Sequence, residues 1–256
     1  MKVRLIGAVF GLAAMVLGAT VGLARADAAP TCPTAPMRLV VLGDSLADGL
    51  WASFQRSFAT CDTLDVVRVT AVSDGLAKSS DEEWISRYMT QAGLPEDGTT
   101  DVAVVQVGAN DINFIRNGNS REIFNTELWN QLYAQRVREI TDTLRAHSAA
   151  VFWVGLPVVG NTKFEPNYQI ITAVQKQAVR KAGGKFVDIH ELTKFGTGDF
   201  AMSGKVDGQI VKMRAADKVH FTLPGYDMVA RAVLDDLIDI INATNRRLAL
   251  QDVQIQ

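Results

Sequence analysis

The chain has 256 residues, of which 48% are hydrophobic and 21% are charged, and 26 basic residues against 28 acidic ones give a net charge of −2. This composition is typical of a globular protein, excludes disordered and collagen-like chains, and disfavours nucleic-acid binding, which usually needs a basic excess. Two cysteines are too few for a four-thiolate metal site.

The first 26 residues have the features of a secretory signal peptide. A short basic start is followed by residues 5–24, which carry no charge, and then by the small-x-small cleavage pattern Ala24-Arg25-Ala26. An uncleaved membrane anchor is the alternative, because the uncharged run approaches the length that spans a bilayer. Cleavage would remove three basic residues and no acidic one, leaving residues 27–256 with a net charge of −5. We therefore expect a periplasmic or secreted protein with no stable membrane insertion after cleavage.

Export makes the two cysteines informative. Cys32 stands before the first predicted strand, and Cys61 follows the first predicted helix. In an oxidising compartment a lone pair of cysteines usually forms a disulfide, so we predict a Cys32–Cys61 bond. The alternative is two unrelated thiols.

Apolar runs and helical periodicity alternate along the rest of the chain. In chain order they predict a strand at 37–42, a helix at 47–58, a strand at 64–71, a helix at 81–92, a strand at 101–107, a helix at 126–147, a strand at 150–154, a helix at 167–182, a strand at 185–189 and a helix at 223–245. Such alternation predicts one three-layer α/β/α domain, with a mainly parallel five-stranded sheet between two layers of helices.

Residues 193–216 interrupt the alternation, because they are too long for an ordinary connection and show no helical period. The Asp-Gly signature at Asp207-Gly208 predicts a β-hairpin near 199–213, with an unstructured loop as the alternative. Lys205, Lys212 and Arg214 make this insert basic. We expect these three residues to control substrate access and to meet an anionic glycan.

Polar residues follow the predicted strands, at the edge of a parallel sheet where ligands bind. They form the groups Gly43-Asp44-Ser45-Leu46, Ser73-Asp74-Gly75 and Gly108-Ala109-Asn110-Asp111, and Asp217-Lys218-Val219-His220 precedes the last helix. The fourth strand is followed by Gly155-Leu156-Pro157, which has no polar side chain. Each group alone is a weak signal, but their order and placement together are specific. Of the three histidines, only His220 lies at this edge in a position to act as a base, and we expect His147 and His190 to be structural.

In these blocks the chain resembles the SGNH hydrolases, also called the GDSL esterase/lipase superfamily. It also resembles an exported subgroup that is catalogued mostly as a domain of unknown function. The resemblance implies a flavodoxin-like fold with Ser45 as nucleophile, His220 as base and Asp217 as the acid that orients His220. It further implies an oxyanion hole formed by the backbone N–H groups of Ser45 and Gly75 and the side-chain amide of Asn110. The Gly75 block has no sharp motif, so that assignment depends on position.

The predicted activity is that of an exported serine esterase. A serine, a neutral imidazole and a carboxylate suffice for acyl transfer, so no metal and no cofactor are required. We expect a short-chain acyl ester, on a small molecule or on a cell-envelope or extracellular polysaccharide. One alternative is an O-acyltransferase that passes the acyl group to a glycan hydroxyl, and another is a non-catalytic glycan-binding module. The oligomeric state is left open.

Overall fold

The protein is described by a computed structural model that covers residues 31–92 and 102–254. The predicted signal peptide lies outside the described residues. The elements in chain order are β1 (Met37–Gly43), α1 (Ser45–Ser57), β2 (Leu64–Thr70), α2 (Asp81–Gln91), β3 (Val102–Gln106), β4 (Ile115–Asn117), β5 (Ser120–Glu122), α3 (Glu127–His147), β6 (Ala150–Val154), α4 (Glu165–Lys181), β7 (Lys185–Val187), a 3₁₀ turn (Leu192–Lys194), β8 (Ser203–Val206), β9 (Gln209–Lys212) and α5 (Leu223–Gln254).

The central sheet has five parallel strands in the order β2-β1-β3-β6-β7. Helix α1 packs against α5, whereas α2 and α4 both pack against α3. All five residues of β3 are fully buried, as expected for a strand covered on both faces. The predicted three-layer fold is confirmed, and its strand order places a topological switch point between β1 and β3, where such sheets bind ligands.

Polar caps fix where the helices begin. Asp44 caps α1 by accepting a hydrogen bond from Leu46 N–H at 2.8 Å, and Ser80 and Glu83 form a capping box at the start of α2. The closing helix is longer than predicted, because residues 246–254 contain neither glycine nor proline to stop it. The fifth strand is shorter than predicted and ends at Val187.

Two β-hairpins lie outside the central sheet, in segments that connect its main elements. The predicted hairpin near 199–213 is confirmed as β8 and β9, although its segment begins with an unpredicted 3₁₀ turn. The hairpin of β4 and β5 was not predicted. Its turn contains Asn117-Gly118, with Gly118 at a φ of +59°, which is a recognisable turn signature that the sequence analysis left unused.

A disulfide joins Cys32 and Cys61, whose Cα atoms are 5.3 Å apart. The same segment is attached to α5, because Asn245 accepts a hydrogen bond from Thr34 N–H at 2.8 Å and donates one to the Cys32 carbonyl at 3.1 Å. The start of the described chain is thus fixed to the domain at two points. Within the two described ranges, no helix has both the length and the apolar character needed to span a membrane.

Candidate active site

Ser45 is the first residue of α1, directly after β1. Gly43 turns the chain there with a φ of +148°, and a Cβ at that position would lie 1.9 Å from the Gln106 carbonyl oxygen. Only glycine fits such a close approach. As the first residue of a helix, Ser45 has a backbone N–H without an intrahelical acceptor.

The Asp44 carboxyl group joins the ends of β1 and β3 from a fully buried position. Besides capping α1, it accepts hydrogen bonds from the N–H groups of Gly108 at 3.2 Å and Ala109 at 3.3 Å. Burial raises the pKa of Asp44 to about 7, although these hydrogen bonds oppose the effect. Asp44 thus binds backbone N–H groups at the ends of both strands.

Ser45, His220 and Asp217 form a continuous hydrogen-bonded chain. His220 Nε2 lies 2.7 Å from Ser45 Oγ, and His220 Nδ1 lies 2.7 Å from Asp217 Oδ2. Because an ionised carboxylate only accepts hydrogen bonds, the neutral ring carries its proton on Nδ1 and leaves Nε2 free to accept the serine proton. The three side chains thus stand in the relation that activates a serine.

The turn that carries Asp217 and His220 is held by its own carboxylate. Asp217 Oδ1 accepts hydrogen bonds from Val219 N–H at 2.9 Å and from His220 N–H at 3.0 Å, and Lys218 adopts a φ of +63°. Partial burial favours the neutral acid, but the bonds from Val219 N–H and the His220 side chain and backbone outweigh it and lower the pKa of Asp217. The carboxylate therefore stays ionised at neutral pH.

The structure corrects the prediction for one of the three basic residues of the insert. Lys205 and Lys212 are exposed on β8 and β9, as a role in substrate access requires. Arg214 is fully buried instead, and its guanidinium donates hydrogen bonds to the Val158 and Val219 carbonyls. Burial lowers the pKa of Arg214 to about 10. This side chain is therefore inaccessible to a glycan.

Asp74 contacts two of the three groups predicted as oxyanion donors. Its carboxylate accepts a hydrogen bond from Gly75 N–H at 2.7 Å, and its carbonyl accepts one from Asn110 Nδ2 at 2.9 Å. The second Asn110 acceptor is Asp44 Oδ2 at 3.5 Å, which is the limit of a hydrogen bond. The fold thus brings the Ser45, Gly75 and Asn110 blocks together, with one Asn110 hydrogen only weakly engaged.

A buried polar network next to Asn110 was not predicted from the sequence. Asp111 is fully buried and accepts hydrogen bonds from Tyr133 Oη at 2.6 Å and Ala77 N–H at 2.9 Å, while Gln175 donates to Tyr133 Oη at 3.0 Å. Burial raises the pKa of Asp111. The network fixes the loop after β3 from below. Its members lie far apart in sequence, so no local pattern could have revealed it.

Other charged residues at this end of the sheet have structural partners. His190 Nε2 lies 2.5 Å from Glu165 Oε1, which is consistent with the structural role expected for it. Within residues 31–92 and 102–254, no group of three or more His, Cys, Asp or Glu side chains is arranged to hold a metal ion.

Comparisons with known proteins give a family and a fold. Residues 38–236 match the sequence profile of a family described as "Protein of unknown function (DUF459)". No curated protein sequence matches the chain significantly.

Three solved structures illustrate the structural likeness. The lipase/acylhydrolase from Enterococcus faecalis has a TM-score of 0.57 at 15% identity, covering 79% of this chain and 96% of its own. Axe2, an acetylxylan esterase from Geobacillus stearothermophilus, has a TM-score of 0.53 at 17% identity, covering 78% and 94%. A member of the lipolytic protein G-D-S-L family from Veillonella parvula DSM 2008 has a TM-score of 0.51 at 14% identity, covering 78% and 97%. At these identities the likeness establishes the fold, which is the one that the sequence resemblance implied.

Proposed function

The chain belongs to the DUF459 family and has the fold of the SGNH/GDSL hydrolases, and from this premise we propose that it is an exported serine esterase. The observation that carries the proposal is the hydrogen-bonded chain from Ser45 through His220 to Asp217, with both heavy-atom distances at 2.7 Å. A binding module has no need of an activated serine, so this geometry favours catalysis over the non-catalytic alternative.

The proposed reaction is a two-step acyl transfer. His220 Nε2 takes the proton of Ser45 Oγ, which attacks the ester carbonyl, and the protonated ring then gives that proton to the leaving alcohol. The resulting acyl-enzyme is hydrolysed when His220 activates a water molecule in the same way. Asp217 stabilises the imidazolium that forms in each step.

We assign the developing oxyanion to the Ser45 N–H, the Gly75 N–H and the Asn110 amide. The Ser45 N–H stands at the start of α1, where the helix dipole favours negative charge. Asn110 can use its weakly engaged second hydrogen while it keeps the bond to the Asp74 carbonyl. The Gly75 N–H already donates to the Asp74 carboxylate, so it would have to donate to that carboxylate and to the substrate oxygen together.

The proposed substrates are short acyl esters, on small molecules or on polysaccharides outside the cytoplasm. The Cys32–Cys61 bond supports export, because disulfides persist in oxidising compartments. The likeness to an acetylxylan esterase supports an acetyl group on a glycan. Lys205 and Lys212 are exposed on the hairpin that leads into the Asp217 turn, and they would contact anionic parts of such a polymer.

The decisive experiment combines an ester panel with active-site labelling. The wild-type protein should cleave aryl esters of short acyl chains, and a fluorophosphonate should label a single peptide, the one containing Ser45. Ser45→Ala should lower kcat by about 10⁴-fold or more and abolish labelling. Ser57→Ala, at the other end of α1, is the matched control and should keep both.

Two results would change this assignment. Full esterase activity in purified Ser45→Ala protein would move the chemistry to another site. Release of the donor's alcohol only when a glycan acceptor is present, with the acetyl group recovered on that acceptor and not as free acetate, would identify an O-acyltransferase.

A further inference from the structure

Arg214 is a buried cation whose contacts are unusual. Its side chain is fully buried directly after β9. Within the described residues no carboxylate forms an ion pair with it, and its Nε has no hydrogen-bond partner. A buried charge without a counter-ion is costly, so its hydrogen bonds and ring contacts must hold it there.

The guanidinium bridges two loops at the candidate active site. Nη1 donates to the Val219 carbonyl at 3.1 Å, and Nη2 donates to the Val158 carbonyl in the loop after β6. The Phe221 ring lies 4.2 Å from the guanidinium carbon and the Phe200 ring 5.3 Å from it, which are cation–π distances. Both the position and the plane of the guanidinium are thus fixed.

Val219 lies between Asp217 and His220, so Arg214 holds the backbone of the turn that carries both. The two side chains receive little support from the solvent side, since 52% of the Asp217 side chain and 34% of the His220 side chain are exposed. The base of the turn is closed by a β-bridge between Arg214 and Phe221 and by the bond from Ala215 N–H to the His220 carbonyl at 2.9 Å. A displacement of the Val219 carbonyl would therefore move His220 Nε2 relative to Ser45 Oγ.

We propose that Arg214 is a positioning residue, which holds the Asp217–His220 turn so that His220 Nε2 stays in hydrogen-bonding contact with Ser45. This inference rests on the proposed serine esterase activity. The planar guanidinium holds its N–H groups in a rigid fork that reaches two carbonyls from different loops, whereas a lysine ammonium is a single point at the end of a flexible stem. Arg214 touches neither substrate nor reacting atoms, so its effect acts through geometry.

The test compares Arg214→Met and Arg214→Lys with the wild-type protein in turnover per active serine. The concentration of active serine is measured by titration with a fluorophosphonate, which removes any contribution from misfolded protein. The matched control is Arg145→Met. Arg145 lies in the last turn of α3, at the opposite edge of the sheet, and donates a hydrogen bond of 2.8 Å to the Ala182 carbonyl.

For Arg214→Met we expect kcat per titrated site to fall by about 10²-fold, the usual effect of a shift of about 1 Å in a reacting group, with KM within about twofold. Arg214→Lys should recover part of this loss, because an ammonium can bind one of the two carbonyls. Arg145→Met should keep the wild-type kcat per site, whatever its melting temperature.

The outcomes separate the inference from the proposed function. A purely structural role would lower the melting temperature and the number of titratable sites of Arg214→Met but leave kcat per site unchanged, which would overturn the inference. If Arg214→Met does not fold, Arg214→Lys decides: wild-type kcat per site overturns the inference, and a clear loss at unchanged KM supports it. A wild-type protein that neither cleaves esters nor labels at Ser45 refutes the proposed function instead.

Discussion

Asp217→Asn tests whether the carboxylate sets the tautomer of His220. In the folded protein Asp217 Oδ1 accepts two backbone N–H bonds, at 2.9 and 3.0 Å, while Oδ2 faces His220 Nδ1 at 2.7 Å. An asparagine must keep its oxygen at the Oδ1 position, because an NH₂ group there would face two donors. Its NH₂ group then points at His220 Nδ1, which can only accept, so the ring proton moves to Nε2 and faces Ser45.

The magnitude follows from the two backbone bonds. Turning the amide to restore the productive tautomer would sacrifice both bonds, which are worth about 1.5–3 kcal/mol each with a charged acceptor and less with a neutral one. Their combined value of at most about 6 kcal/mol corresponds to about 10²–10⁴ in rate, in line with the loss of about 10⁴ for this substitution in a serine protease triad. We expect kcat for an aryl acetate to fall by that factor, with KM little changed.

Asp217→Ala is the matched variant for this prediction. It removes the orienting carboxylate but imposes no tautomer, so a water molecule can partly orient the ring, and its kcat should exceed that of Asp217→Asn. Steady-state kinetics per titrated serine measures both. An Asp217→Asn protein that is more active than Asp217→Ala, or that stays within tenfold of the wild type, would refute the tautomer argument.

Three further predictions concern stability and substrate contact. The Cys32–Cys61 bond spans 29 residues and should contribute about 3.5 kcal/mol to the free energy of unfolding; urea unfolding of the double serine variant measures the loss. Burial raises the pKa of Asp44 from its ordinary value of 3.8 to about 7, so the folded state holds the proton more tightly than the unfolded chain does. Its contribution to stability should fall by about 4 kcal/mol as the pH rises from about 4 to about 8 and stay level above, and Asp44→Asn should lack this slope in urea titrations. Exchanging both Lys205 and Lys212 for glutamine should raise KM severalfold for an acetylated anionic glycan. The same exchange should leave KM for an aryl acetate unchanged.

Each of these three predictions has a control. Equal stability of the oxidised and reduced wild-type protein would contradict the disulfide estimate. Asp65→Asn, at an exposed position of β2, should retain the wild-type pH slope, and an Asp44→Asn protein with that same slope would contradict the assignment to Asp44. High salt should abolish any difference between the lysine variant and the wild type, and Lys181→Gln, at the exposed last residue of α4, should behave as the wild type.

The sheet and the edge that carries the candidate site could be predicted because their signals are local. The runs at β1, β3 and β6 are mostly apolar, with Arg38 and Gln106 as the polar exceptions, as is typical of strands covered on both faces. All three lead into glycine, and those of β1 and β3 lead on into polar residues. Parallel strands then bring those ends to one edge, so the blocks containing Ser45 and Asn110 could be expected to meet.

The features that could not be predicted depend on contacts between residues that lie far apart in the sequence. Arg214 is charged, and charged residues in a polar insert are usually exposed, so its burial between Phe200 and Phe221 contradicts the ordinary expectation. The bond between Asp111 and Tyr133 joins residues 22 positions apart, and no periodicity encodes it. The bond from Gly75 N–H to the Asp74 carboxylate likewise depends on a loop conformation that glycine and aspartate merely permit.

The disulfide and the hydrogen bonds of Asn245 also determine where the described chain joins the domain relative to the candidate active site. They fix residues 32–34 at the amino ends of the strands, whereas Ser45 follows the carboxyl end of β1. At about 3.3 Å per residue, the seven residues of β1 separate these two edges by about 23 Å. An anchor that joined the domain directly before Cys32 would therefore be attached at the edge of the sheet opposite to Ser45.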